Sequence, residues 1–98
     1  MTRARIHPGE HIADELTELG MTASELARTL NIPTNRITEI IRGRRGISAD
    51  TAFRLSQWMG TTPEYWMNLQ RNDELRLAEQ EHGEEIRRDI RPLRLSPG

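Results

Sequence analysis

Start and stop signals divide this sequence into five short helical segments, and no other feature constrains its fold as tightly. Pro8 after His7 suits a first helical position, where a missing N–H is harmless. Ile12, Leu16 and Leu19 follow at i, i+4 and i+7, until Gly20 supplies a left-handed stop. Thr22-Ala23-Ser24-Glu25 reads as a capping box, with Leu26, Ala27 and Leu30 on one face as far as Asn31. A third helix is expected from about Pro33-Thr34, packing through Ile37, Ile40 and Ile41 and ending at Gly43. Ser48 caps a fourth, whose Ala52, Leu55 and Met59 form a line before Gly60. Thr62-Pro63-Glu64 opens a fifth, expected to run to about Gln80. No segment sustains a period of two with β-branched residues, and there is no internal repeat. The predicted class is all-α: a five-helix domain over 1–83 and a short C-terminal tail over 84–98. Ile86 and Ile90 stand four apart in that tail, but Pro92 and Pro97 stop a long helix. A short helix, an extended partner-binding arm and disorder all remain open for it.

At 98 residues the chain accommodates one such domain with a small core. The absence of Cys excludes a disulfide scaffold, Cys-ligated zinc and a thiol nucleophile. No apolar run approaches the roughly 18 residues of a membrane span, and Met1-Thr2-Arg3-Ala4-Arg5 leads into no apolar stretch. A cytoplasmic location is therefore expected. All 14 basic residues are Arg, which genome composition could produce by itself. Arg is also the better partner for bidentate contacts to phosphate and guanine. The net charge of −1 conceals a pattern: −2 over residues 1–20, +3 over 21–60 and −2 over 61–98.

The basic middle coincides with a distinctive spacing. Between Ala23 and Arg42 lie two short helical segments with a small residue, Ala27, where they must cross. Asn31, tolerant of left-handed geometry, stands at the turn. Ile32 plugs the turn and Ile37 and Ile40 anchor the second segment, an arrangement that describes a helix-turn-helix over about 23–42. With those Ile turned inward, Thr34, Asn35, Thr38 and Glu39 lie towards the opposite face, and Arg36 stands at its margin. Asn bonds adenine, Arg bonds guanine, a Thr methyl meets a thymine methyl, and Glu accepts from cytosine or orients an Arg. These five are the candidate base-reading residues. Arg42-Gly43-Arg44-Arg45-Gly46 forms a loop able to follow a phosphate backbone, and Ser48 adds a hydroxyl and an N–H at a helix start. Arg42, Arg44, Arg45, Ser48 and Ser24 are the candidate phosphate contacts. The competing reading is a helical bundle with a solvated Arg loop.

Ser24-Glu25-Leu26-Ala27, Ile37 through Arg45, and Ile47-Ser48 resemble the Xre/lambda-repressor-like helix-turn-helix family. Three further pieces are similar to HigA-type antitoxins within it. They are His7-Pro8-Gly9-Glu10, the run Gly46-Ile47-Ser48-Ala49-Asp50-Thr51-Ala52 with Arg54-Leu55, and Trp66-Met67-Asn68-Leu69-Gln70. The resemblance covers roughly residues 6–78. It implies a five-helix lambda-repressor-like domain that dimerises, represses its own operon on double-stranded operator DNA, and neutralises a HigB-type mRNA endonuclease toxin. Two positions depart from the pattern. Ala23 stands where related repressors often carry Gln, which would pass its contact to Ser24 or the Arg loop. Asp73 stands where an aromatic is common.

Other signals point elsewhere. His7-Pro8-Gly9-Glu10-His11 has the spacing of an inverted zinc-protease motif, but Pro8 at the first helical position leaves His7 outside the helix. No metal, cofactor or enzymatic activity is expected. Trp58, Tyr65 and Trp66 could stack on bases, but together with Leu69 they suit a core or dimer seam better in so small a domain. The carboxylates from Asp73 to Asp89 alternate with Arg and form either a solvated face or a surface for a basic partner. The expected function is a dimeric, sequence-specific repressor that is also an antitoxin. The alternatives are a stand-alone regulator without a toxin, or a helical module that binds only protein.

Overall fold

A computed structural model describes residues 7–93. Its five helices are α1 (Pro8–Leu19), α2 (Ala23–Leu30), α3 (Thr34–Ile41), α4 (Ala49–Met59) and α5 (Pro63–Asp89), and the described residues contain no strand. Each boundary follows from local chemistry. His7 Nδ1 accepts from the Gly9 N–H at 2.9 Å ahead of Pro8, and Gly20, at φ +66°, closes α1. Thr22 and Glu25 form the reciprocal cap, their bonds 3.1 and 2.9 Å long. Ser48 and Thr62 each accept from the N–H three residues on, starting α4 and α5.

The helices close around Ile12, Leu16, Leu26, Ala27, Leu30, Ile37, Ile40, Ile47, Ala52, Leu55 and Trp66, all buried. Trp66 is the largest of these, and its indole N–H donates to Thr61 Oγ1 at 2.9 Å, so its one polar atom is satisfied. Leu19, expected on the apolar line of α1, is instead 55% exposed. It is the last residue of α1, next to the closing Gly20. Gly9 sets how α1 meets α3. A Cβ there would stand 2.9 Å from the carbonyl carbon of Ile40 and closer still to its oxygen. The first turn of α1 thus rests directly on the last turn of α3.

The fifth helix does not stop near Gln80. It continues through Gly83 to Asp89, so the expected boundary between 83 and 84 falls inside one helix, and 84–89 are helical. Glu, Arg, Ala and Leu dominate the stretch and favour helix strongly enough to absorb one interior Gly, which costs about 1 kcal/mol against Ala. Arg87 also reaches back across Gly83 to pair with Glu79 through bonds of 3.1 and 2.7 Å. The turn to extended backbone comes at Ile90, two residues before Pro92. Residues 94–98 of the expected tail, like Met1 to Ile6, lie outside the described residues. At 27 residues α5 is about 40 Å long, and Leu75 at its middle, Ile86 near its end and Ile90 just past it are exposed. No helix among the described residues is long and apolar enough to cross a membrane.

Candidate nucleic-acid interface

The turn between α2 and α3 has the geometry that its spacing predicts. Asn31 adopts φ +62°, ψ +46°, and it is the one non-Gly residue with positive φ among the described residues. The N–H groups of Asn31 and Ile32 return to the carbonyls of Arg28 and Ala27 at 3.2 and 3.0 Å, satisfying the end of α2. Ala27 is 1% exposed at the crossing, and Ile37 and Ile40 are fully buried. Arg54 braces the motif from α4. Its Nη1 donates to the Leu30 carbonyl at 3.0 Å, while its Nε donates to Asp50 at 2.8 Å. A cation therefore sits on the last turn of α2, where the helix dipole favours it.

With Ile37 and Ile40 inward, α3 turns the expected set outward. Thr34 and Asn35 are exposed; Arg36, Thr38 and Glu39 are half-buried. The Thr38 hydroxyl donates to the Asn35 carbonyl at 3.1 Å, which leaves its oxygen as an acceptor and its methyl as an apolar contact. Among the described residues the Asn35 amide has no hydrogen-bond partner, and it is exposed towards a base edge.

After α3 the chain is tied back to the helix it leaves. The N–H groups of Arg42, Gly43 and Arg44 donate to Thr38, Ile40 and Glu39 at 3.0, 3.0 and 2.9 Å, with Gly43 at φ +76°. Arg42, Arg44 and Arg45 are exposed. Arg45 Nε donates to Glu39 Oε1 at 3.0 Å, so Glu39 orients an Arg, one of the two roles its chemistry allows. Arg42 and Arg44 have no ion-pair partner among the described residues. Arg36, Arg45, Gly46, Ser48, Asp50 and Thr51 line one polar depression where α3, the loop and the start of α4 meet. Asp50 is held below the usual carboxylate range, first by its hydrogen bond from Arg54, then by the charges of Arg54 and Arg36.

The remaining expected residues divide. Ser48 is exposed, but its hydroxyl already caps α4, accepting from the Thr51 N–H and meeting Thr51 Oγ1, each at 3.2 Å. Ser24 stands exposed at the second position of α2, next to half-buried Ala23. Of the aromatic set, Trp66 belongs to the core, and Trp58 and Leu69 are half-buried against it. Tyr65 is 38% exposed, its ring edge-on to His11 and Trp66 and its hydroxyl 3.3 Å from His11 Nδ1. With Trp66 sealed, this group offers no stacking platform of successive aromatics. His7 serves as a helix cap and His11 as an aromatic neighbour. Asp73 is buried at 4% exposure and partnered.

One residue at this interface escaped residue-by-residue reasoning. Gln70, on α5, donates from Nε2 to the Ile47 carbonyl at 2.9 Å and accepts from the Ile47 N–H through Oε1. A lone Gln on a polar helix carries no local sign of such a contact. Its place in the Trp66-Met67-Asn68-Leu69-Gln70 piece was the only available pointer.

Known proteins match this arrangement. The helix-turn-helix family model aligns with residues 12–66. Virulence-associated protein I of Dichelobacter nodosus is 44% identical over 77 residues, covering 78% of this chain and 71% of that protein. A solved addiction module antidote protein of the HigA family from Coxiella burnetii superimposes with a TM-score of 0.85 at 48% identity, covering 90% of this chain and 97% of that one. The Pseudomonas aeruginosa antitoxin HigA, solved with the higBA promoter, gives 0.84 at 41% identity over 91% of this chain and 98% of that one. On a family model spanning more than half of its length and solved HigA structures matched over 97% and 98% of theirs, the chain belongs to the HigA-type antitoxins of the helix-turn-helix family.

Proposed function

We propose that this protein is a dimeric repressor of its own operon that binds an inverted-repeat operator and neutralises a HigB-type mRNA endonuclease. It is a binding protein rather than an enzyme, and it acts in the cytoplasm, where the chromosome is. The observation that carries this reading is the outward face of α3, with Asn35 exposed beside an exposed Arg loop. Thr34, Asn35, Arg36, Thr38 and Glu39 select bases, Glu39 partly by aiming Arg45. Arg42, Arg44 and Arg45 contact phosphates, with Ser24 and Ser48 at their margins. The solved Pseudomonas aeruginosa HigA with its promoter supports the same use of this fold.

Two copies are needed to bring two α3 helices into successive major grooves about 34 Å apart. The second half of α5 supports an isologous contact. Leu75, Ala78 and Ile86 line one exposed apolar depression over Gly83, three helical turns long. Sedimentation equilibrium is expected to give a dimer for the wild type and a monomer for Leu75→Glu with Ile86→Glu. A double variant that stays dimeric refutes this use of α5.

A hydroxyl-radical footprint on the DNA upstream of the protein's own reading frame tests the repressor reading. Two protected patches one helical turn apart are expected. Protection that is absent, or uniform along the fragment, contradicts it. The antitoxin reading predicts a small basic ribonuclease-like frame next to the gene, whose growth arrest this protein relieves on co-expression. A neighbour without such toxicity leaves a stand-alone regulator.

A further inference from the structure

We infer that Gln70 is a positioning residue for operator binding, holding the exit of the Arg loop from a distant helix; the inference rests on the DNA-binding reading proposed above. The loop entry is fixed by α3 itself, through Gly43 N–H to Ile40 and Arg44 N–H to Glu39. Its exit is at Ile47, whose side chain is 3% exposed in the core and whose two backbone groups are both taken by the Gln70 amide. Arg44 carries the second entry anchor, and Arg45 lies between it and Ile47. A carboxamide matches a backbone N–H and C=O together, as a neighbouring β-strand would, so the clasp fixes both position and peptide orientation.

Gly46 independently marks the same contact. Among the described glycines with positive φ are Gly20, Gly43 and Gly60, but not Gly46, so its backbone is accessible to other residues. It is also exposed. What a side chain would meet there is Gln70: a Cβ would stand 2.6 Å from Oε1 and 3.2 Å from Cδ. The glycine therefore makes room for the clasp rather than for a turn. Adding one methyl at Gly46 displaces the Gln70 amide just as deleting that amide does.

This equivalence supplies the test. Full-length wild type, Gln70→Ala, Gly46→Ala and the double variant are titrated with promoter DNA across a salt series, with thermal melts alongside. Loss of the clasp lets the loop sample conformations that DNA binding must then restrict. Each single variant is expected to bind about tenfold more weakly near 0.15 M salt, and to lose about one to two ions from the salt slope. The double variant is expected within about twofold of either single, because both changes break one contact. A purely structural role lowers the melting temperature and leaves the slope of the folded protein unchanged, which overturns the inference. Multiplying losses in the double variant overturn it as well. A wild type with no preference for promoter DNA removes the functional reading and this inference together. Variants equal to a specific wild type remove the inference alone.

Discussion

Gly9→Ala reverses the sign that helix propensity predicts. Gly9 is the second residue of α1, and propensity alone favours Ala at a helical position by up to about 1 kcal/mol. The new Cβ, however, would meet Ile40 at 2.9 Å from the carbonyl carbon, with the oxygen nearer. Carbon atoms pack at roughly 3.5–4.0 Å, so the helices must separate by something near 1 Å. The obstacle is backbone in the last turn of α3 and cannot rotate aside, while His7 Nδ1, 3.0 Å away, crowds the other side and serves as the α1 cap. Overpacking against a fixed neighbour costs about 1–3 kcal/mol, and the upper end applies here. For a domain of this size, that lowers Tm by roughly 10–20 °C. Gly83→Ala is the internal control: its Cβ would meet only the movable ends of the Glu79–Arg87 pair, each at 2.9 Å, so the pair must shift while helix propensity gains, and Tm should change far less than for Gly9→Ala. Thermal and urea melts of both variants measure the contrast. A Gly9→Ala protein as stable as wild type would refute the direct rest of α1 on α3.

Three further outcomes follow from the interface and from α5. Asn35→Ala should lose about 1–3 kcal/mol of discrimination between operator and scrambled DNA, with little change on scrambled DNA, as competition titrations read it. Equal losses on both would make Asn35 a backbone contact. Arg44→Ala should shed about one ion from the salt slope while keeping its base preference; an unchanged slope removes Arg44 from the phosphate contacts. Glu79 is held below its ordinary range by its hydrogen bond from Arg87 and then by that residue's charge. A lowered folded value means the stabilisation is fully present above the unfolded pKa and is lost as pH falls through the folded one. Glu79→Gln should therefore lower the α5 circular dichroism signal slightly at neutral pH and match wild type once the wild-type Glu79 carboxyl is protonated. A difference persisting in acid would assign the effect to something other than the ion pair.

The helix starts, and the stops of α1, α2 and α4, were legible because each is settled within four residues. Thr22 and Glu25 cap each other, Asn31 is the left-handed residue of its turn, and Ser48 and Thr62 bond the N–H three positions on. The face of α3 was legible for a similar reason, since burying Ile37 and Ile40 leaves Thr34 and Asn35 outside. What stayed hidden depends on distant partners. Gly83 looked like a terminus because nothing near it announces an Arg87–Glu79 bond spanning eight residues. Nothing beside Gly9 announces its value, which lies in the approach of Ile40, 31 positions away. Gln70 joins Ile47 across 23 positions, and only the folded chain brings an α5 amide to that loop. Tyr65, grouped with its aromatic neighbours by sequence, points its ring at His11 near the surface.

The most direct test of the operator-binding claim is the ratio of affinities for the protein's own promoter and for a scrambled duplex of equal length. It should be measured by fluorescence anisotropy at about 0.15 M salt, the range in which non-specific and specific binding separate. A base-reading α3 predicts a ratio of at least about a thousandfold. Equal affinities with a common salt slope would reduce the interface to a basic patch on a helical bundle, and would contradict the assignment of Asn35 and its neighbours as readers of sequence.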